Sequence, residues 1–202
     1  MKNIAVFASG RGTNFSAIAQ AVKSGRLKVN LALLVCDNPQ APVLNKAKKL
    51  KIKIALVKRK SFFSKKDFEE EIIRSLKEEG IDLVVMAGFM RMLSPDFVKA
   101  YKNRIINIHP ALLPSFKGAH AIKDAFDYGV KVTGVTAHFV DEEMDHGAII
   151  LQKEVEIKET DTLSSLEAKI HKVEHALYPE AVKLITLGKV KLKGRRARIT
   201  GC

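Results

Sequence analysis

Up to Gly129, short apolar runs alternate with stretches that carry apolar residues at helical spacing. The runs "KNIAVFA", "VNLALLVC", "IKIALV", "DLVVMA" and "RIINI" lack the polar-apolar alternation of a one-sided sheet, so each is expected to be a strand covered on both faces. Strands that alternate with helices imply a parallel sheet with crossover connections. Local start signals support the helices. "SKKD", Ser64 to Asp67, fits a capping box ahead of Phe68, Ile72 and Leu76, and Ser94 followed by Pro95 offers an N-cap with proline at the first helical position.

Beyond Gly129 the pattern changes. "KVTGVTAHFV" and "AIILQKEVEI" are longer strand-like runs joined by the acidic loop "DEEMDHG", which predicts a mixed or antiparallel pair. A long helix is expected from about Asp161, burying Leu163, Leu166, Ile170, Val173, Leu177, Ala181 and Leu184. The expected class is α/β: a Rossmann-like, mostly parallel sheet with helices on both faces and a mixed or antiparallel C-terminal part. No repeat or linker divides the 202 residues, so one domain spanning 1–202 is expected, with about 188–202 a basic tail or edge strand.

Composition narrows the classes. A hydrophobic fraction of 47% and a charged fraction of 28% are ordinary for a soluble globular chain. The apolar runs fall well short of the ~20 residues a membrane helix requires, and the start, "MKNIAVFASGRG", passes into a glycine loop rather than a signal-peptide core. A cytoplasmic protein with no membrane partner is expected. Cys36 and Cys202 offer neither a disulfide framework nor paired metal spacing. A net charge of +13 suits nucleic acid, an anionic metabolite or a lysine-rich surface, but lysines spread through the chain argue against a dedicated nucleic-acid face. The one basic cluster, "GKVKLKGRRARITGC", reads as a solvated tail or edge strand, or as a polyanion contact.

Four stretches carry candidate chemistry. "ASGRGTN", between the first strand and a helix beginning near Phe15, has the glycines and the helix N-terminus that receive a phosphate, although Phe15 stands where a dinucleotide fingerprint has its third glycine. A ligand-free glycine turn is the plain alternative, and Asp37 at the end of the second strand could serve a ribose. "HKVEH", His171 to His175, formally matches a zinc-peptidase pattern but lacks a third ligand, so no metal is expected and an exposed polar face able to line a pocket is the preferred reading. In "NIHPALLPSFKGAH", Asn107 and His109 are two apart and share one face of a strand. The acidic loop of Asp141, Glu142, Glu143 and Asp145 is charged beyond what a turn needs, and one carboxylate beside His109 would favour its protonated form.

In order along the chain, "FASGRGTN", "AGFMRMLS", "NIHPALLPSFKGAH", "VTAHFVDEEMDHGAIILQ" and "EHALYP" resemble the folate-dependent formyltransferases, and among them the glycinamide ribonucleotide transformylase family. The resemblance implies a catalytic trio of Asn107, His109 and Asp145. It implies contacts to glycinamide ribonucleotide from Arg11, Gly12, Thr13, Asn14 and Glu174. It also implies a folate pocket of Lys65, Met90, Arg91, Met92, Leu93, Asn107, Val140, Asp141 and Asp145. Lys65 stands near an Arg of the family, which keeps the charge but not the bidentate geometry toward a folate carboxylate.

The co-substrate implied is 10-formyltetrahydrofolate, with formyl transfer to the amine of glycinamide ribonucleotide through a tetrahedral intermediate, no metal and no covalent enzyme nucleophile. The partners implied are these small molecules, with a homodimer left open. Rival readings are another folate-dependent formyltransferase or a 10-formyltetrahydrofolate hydrolase, a dinucleotide oxidoreductase, and a basic RNA-binding module.

Overall fold

The computed structural model describes residues 1–201, so the terminal Cys202 lies outside the described residues. The strands are β1 (Asn3–Phe7), β2 (Asn30–Cys36), β3 (Lys53–Leu56), β4 (Leu83–Met86), β5 (Ile105–His109), β6 (Val132–Phe139), β7 (Ile149–Glu156), β8 (Val190–Lys193) and β9 (Arg196–Ile199). The α-helices are α1 (Thr13–Lys23), α2 (Val43–Lys49), α3 (Lys65–Glu78), α4 (Pro95–Ala100), α5 (Ala121–Tyr128) and α6 (Leu163–Thr186). Backbone pairing orders the first seven strands β3-β2-β1-β4-β5-β6-β7, and β8 pairs with β9 in a separate hairpin. The class is the α/β, mostly parallel sheet that the pattern predicts.

The chain divides into two compact units at Ile106 and Asn107. In the first, β1 pairs in parallel with both β2 and β4, and β2 with β3. Ile4, Val6, Phe7, Leu34, Val35 and Val84 are fully buried, as runs covered on both faces should be. β3 departs from that expectation: its pattern is half-buried with exposed ends, because it is the edge of the order and has one neighbour only. The capping box at Ser64 forms, with Asp67 N donating to Ser64 Oγ at 3.0 Å and Ser64 N to Asp67 Oδ2 at 3.0 Å. Ser94 caps α4, with Pro95 following it.

In the second unit β6 and β7 are antiparallel, and α6 packs across both while α5 packs on α6. The buried stripe of α6 is Leu166, Ile170, Glu174, Tyr178, Ala181, Val182 and Leu184, so Glu174 and Tyr178 replace the expected Val173 and Leu177, and Leu163 is only half-buried. A helix face that buries a carboxylate is invisible to a hydrophobic pattern, which puts Glu174 on the wrong side. The basic C-terminal segment is neither a loose tail nor a strand of the main sheet; it folds as the β8–β9 hairpin.

Candidate active site

In the first unit, the loop after β1 enters α1 through Gly12, whose φ of +66° places it in the left-handed region. A Cβ there would lie 2.3 Å from Val43 Cγ2, so both conformation and space require glycine. α1 begins at Thr13, two residues ahead of the expected Phe15, because Gly12 itself turns the chain into the helix. Gly12, Thr13 and Asn14 therefore form the opening turn, where N–H groups lack intrahelical acceptors, and Arg11 is exposed beside them. Lys46 Nζ on α2 stands 3.4 Å from Gly12 O, adding a cation that sequence reading missed.

Asp37 does not present a free carboxylate to a ribose. Its Oδ1 accepts from Ser9 Oγ at 2.6 Å and its Oδ2 from Arg91 Nε at 2.5 Å. Ser9 Oγ in turn accepts from Met90 N at 3.2 Å, so this network ties the glycine loop after β1 to the loop of Met90 to Leu93. The Arg91 guanidinium then lies 5.7 Å from the centroid of the Phe68 ring.

Arg59, Lys65, Phe68, Glu69, Met90, Arg91, Met92 and Leu93 line a cavity of about 360 Å³. Met90 and Met92 are exposed and line this cavity. Glu69 is buried and accepts from Ser94 N at 2.9 Å and from Ser94 Oγ, with Lys65 Nζ at 3.7 Å. Phe68, Met90, Met92 and Leu93 give this cavity apolar surface and Arg59 and Lys65 give it cations, a lining that suits a planar ligand ending in carboxylates.

In the second unit, Asn107 and His109 on β5 meet the loop after β6. His109 Nδ1 is 3.4 Å from Asp145 Oδ2, and Asn107 Nδ2 is 3.5 Å from Asp145 Oδ1. Asp145 is held with φ +49° and accepts from Gly118 N at 2.9 Å. His109 Nε2 lies 2.8 Å from Phe116 O, so each ring nitrogen faces an oxygen acceptor.

His138, unpredicted, completes the cluster. Its Nδ1–H donates to Phe139 O at 2.8 Å, which leaves Nε2 to accept from Asn107 Nδ2 at 3.3 Å. Burial pushes the His138 pKa down, and that outweighs the opposing effects of the Phe139 carbonyl and Asp145. A neutral His138 thus acts as an acceptor that sets the Asn107 amide. The signal was present in "VTAHF": Thr136 and His138 are polar at alternate positions of an otherwise apolar strand. Thr136 anchors the loop after β5, donating to Ala111 O at 2.7 Å and accepting from Leu113 N at 3.1 Å.

The loop of Val140 to Gly147 is built for tight return. A Cβ on Gly147 would fall 1.8 Å from Phe139 O. Asp141 accepts from Glu143 N at 3.1 Å and from His146 Nδ1 at 2.8 Å, and Val140 is half-buried. On α6 the "HKVEH" segment is not the exposed polar face expected of it, since Glu174 is buried with Oε2 at 2.9 Å from His171 Nδ1. Asn107, His109 and Asp145 are thus brought together, as are Lys65 with Met90 to Leu93, and Arg11 to Asn14 share one turn.

A formyl transferase family model matches residues 2–182, across both compact units. The chain belongs to the formyl transferase family. It is 48% identical over 183 residues to the phosphoribosylglycinamide formyltransferase of Bacillus subtilis, covering 91% of this chain and 94% of that one. The solved glycinamide ribonucleotide transformylase 1 of Symbiobacterium toebii superposes with a TM-score of 0.97 at 38% identity, over 100% of this chain and 95% of that chain. A solved formyltetrahydrofolate deformylase of Burkholderia mallei, also similar, gives a TM-score of 0.90 at 28% identity, and this chain covers 99% of itself but 70% of that chain. The correspondence thus runs nearly the whole length of the Bacillus subtilis and Symbiobacterium toebii proteins and only 70% of the deformylase.

Proposed function

We propose that this formyl transferase moves the formyl group of 10-formyltetrahydrofolate to the amine of N1-(5-phospho-D-ribosyl)glycinamide, in de novo purine biosynthesis. The observation that carries the reading is the convergence of Asn107, His109 and Asp145 in one part-buried cluster of a chain that matches transformylases along their length. The folate co-substrate supplies the formyl group; everything else is work for the protein's own side chains.

Attack by an amine on a formyl carbon develops negative charge on the formyl oxygen, takes a proton from the amine and returns one to the departing nitrogen. Asn107 and His109 are the donors assigned to the oxyanion, with His109 the general acid. Asp145 orients His109 and accepts the amine proton, directly or through water. The Asn107 contacts of 3.3 and 3.5 Å are long for N–H donors, so the amide is readily redirected. His109 must exchange its Phe116 carbonyl for the reacting group, a change consistent with catalytic hydrogen bonds that tighten only in the complex.

Arg11, Gly12, Thr13 and Asn14 are assigned to the ribonucleotide phosphate, with Lys46 as added charge, and Glu174 to the rest of that substrate. Lys65, Met90, Arg91, Met92, Leu93, Val140 and Asp141 are assigned to the folate, Arg91 through its backbone and stem because its guanidinium is committed to Asp37. No helix among the described residues is long and apolar enough to cross a membrane. We place the activity in the cytoplasm, carried by one domain spanning 1–202.

Purified protein incubated with 10-formyltetrahydrofolate, with and without glycinamide ribonucleotide, tests the reading. Deformylation that depends on the amine is expected. Equal loss of formyl without it would make the protein a hydrolase, and no loss in either arm would end the proposal. The oxidoreductase alternative is disfavoured because both carboxylate oxygens of Asp37 are already engaged.

A further inference from the structure

The family match ends at residue 182, whereas the β8–β9 hairpin spans 190–199. Its strands pair Lys191 with Arg198 and Lys193 with Arg196, like charges set directly opposite on the exposed face. Such pairing opposes the hairpin rather than holding it. What retains it is the half-buried face of Val190, Leu192, Ala197 and Ile199, the packing of β9 along β7, and one polar attachment at the turn.

That attachment is Arg195. Its Nη2 donates to His146 O at 2.7 Å, and its Nη1 reaches Nε2 of the His146 imidazole. The same imidazole pairs with Asp141 Oδ2 at 2.8 Å, and Asp141 Oδ1 accepts from Glu143 N at 3.1 Å. Asp145 sits between these fixed points in a left-handed conformation that L side chains rarely adopt, so its geometry depends on its neighbours being held. Gly147 and Ile149 at the base of the loop line a cavity of about 340 Å³ together with Arg195 to Arg198 of the hairpin.

We infer that the C-terminal hairpin is a clasp on the Asp141–Gly147 loop, and that Arg195 is a positioning residue for Asp145. The kinetic part rests on the transfer role proposed for Asp145; the clasp itself does not. The guanidinium fork reaches the His146 carbonyl and ring together, which a lysine ammonium does with less geometric control. His146 relays the grip to Asp141 and so keeps both ends of the acidic turn in register.

Wild type, Arg195→Ala and Arg195→Lys are compared by hydrogen exchange of the 141–147 amides and by steady-state kinetics. In Arg195→Ala the 141–147 amides should exchange faster while those of residues 1–106 do not change. Its kcat/KM for the formyl donor should fall roughly 10- to 100-fold, the range expected when a catalytic group is displaced by about an ångström. KM for glycinamide ribonucleotide should stay within about twofold of wild type, since the donor-side loop alone is released. Arg195→Lys should fall between the two and serves if the alanine variant fails to fold. Unchanged exchange across 141–147 overturns the clasp, and faster exchange with wild-type kinetics overturns the positioning role. Wild-type protein without transferase activity would instead refute the proposed function and leave the exchange measurement to decide the clasp.

Discussion

His109 and Asp145 show how a common pair becomes specific through its surroundings. An imidazole 3.4 Å from a carboxylate is ordinary; here His109 is 3% exposed and its other nitrogen meets a backbone carbonyl, so the ring direction is set from both sides. His109→Ala should lower kcat by about 10²- to 10⁴-fold with KM changed far less, because the lost contacts belong to the transition state. Steady-state kinetics with both substrates measure this, and near-normal turnover would remove His109 from the chemistry. His138 gives a pH prediction. Its folded pKa lies below the unfolded value of about 6.5, so the unfolded chain binds the proton more readily. The stabilisation from keeping it neutral is present above about pH 6.5 and is lost as pH falls from there toward the folded pKa. In His138→Asn the decline of unfolding free energy between pH 7 and 5 should be shallower than in wild type by denaturant titration.

At the scale of elements, the two loops assigned to ligands are shaped by backbone demands that name their residues. Gly12 must turn into α1 beside Val43, and Gly147 must pass Phe139 O. Gly12→Ala should destabilise the protein by at least the ~1–2 kcal/mol of a left-handed residue bearing a Cβ. It should also raise KM for the ribonucleotide more than it lowers kcat, since the opening turn of α1 is displaced; an unchanged KM would detach the loop from phosphate binding. Thermal unfolding and kinetics on one preparation separate the two effects. α6 is secured at its start in a different way. Asp161 is held down to about 2 by Lys169, the Lys158 amide and Ser165, ahead of the Thr162 capping box. Its contribution is present above the ordinary carboxylate range and lost as pH falls toward that value.

For the whole molecule, the charge of +13 is spread rather than gathered, and the proposed substrates carry phosphate and carboxylates. Long-range attraction speeds encounter and is screened over about 8–10 Å at physiological salt. Raising ionic strength from about 0.05 to 0.5 M should therefore lower kcat/KM several-fold for both substrates and leave kcat nearly constant. A salt-independent kcat/KM would show that the surplus charge serves solubility alone.

The alternation of strands and helices, both capping signals, the antiparallel β6–β7 pair and the shared face of Asn107 and His109 were legible in the chain because each depends on spacing within a few residues. The tertiary structure alone decided three further things. It set how Asp145, which the resemblance had named, reaches β5: through a left-handed backbone and the Gly118 amide rather than through charge. It buried Glu174 and committed Asp37 to Arg91, since hydropathy cannot register a carboxylate whose partner lies on another element. And it gave the basic C-terminal segment a place, because a hairpin whose charges repel is held by contacts that its own sequence does not contain.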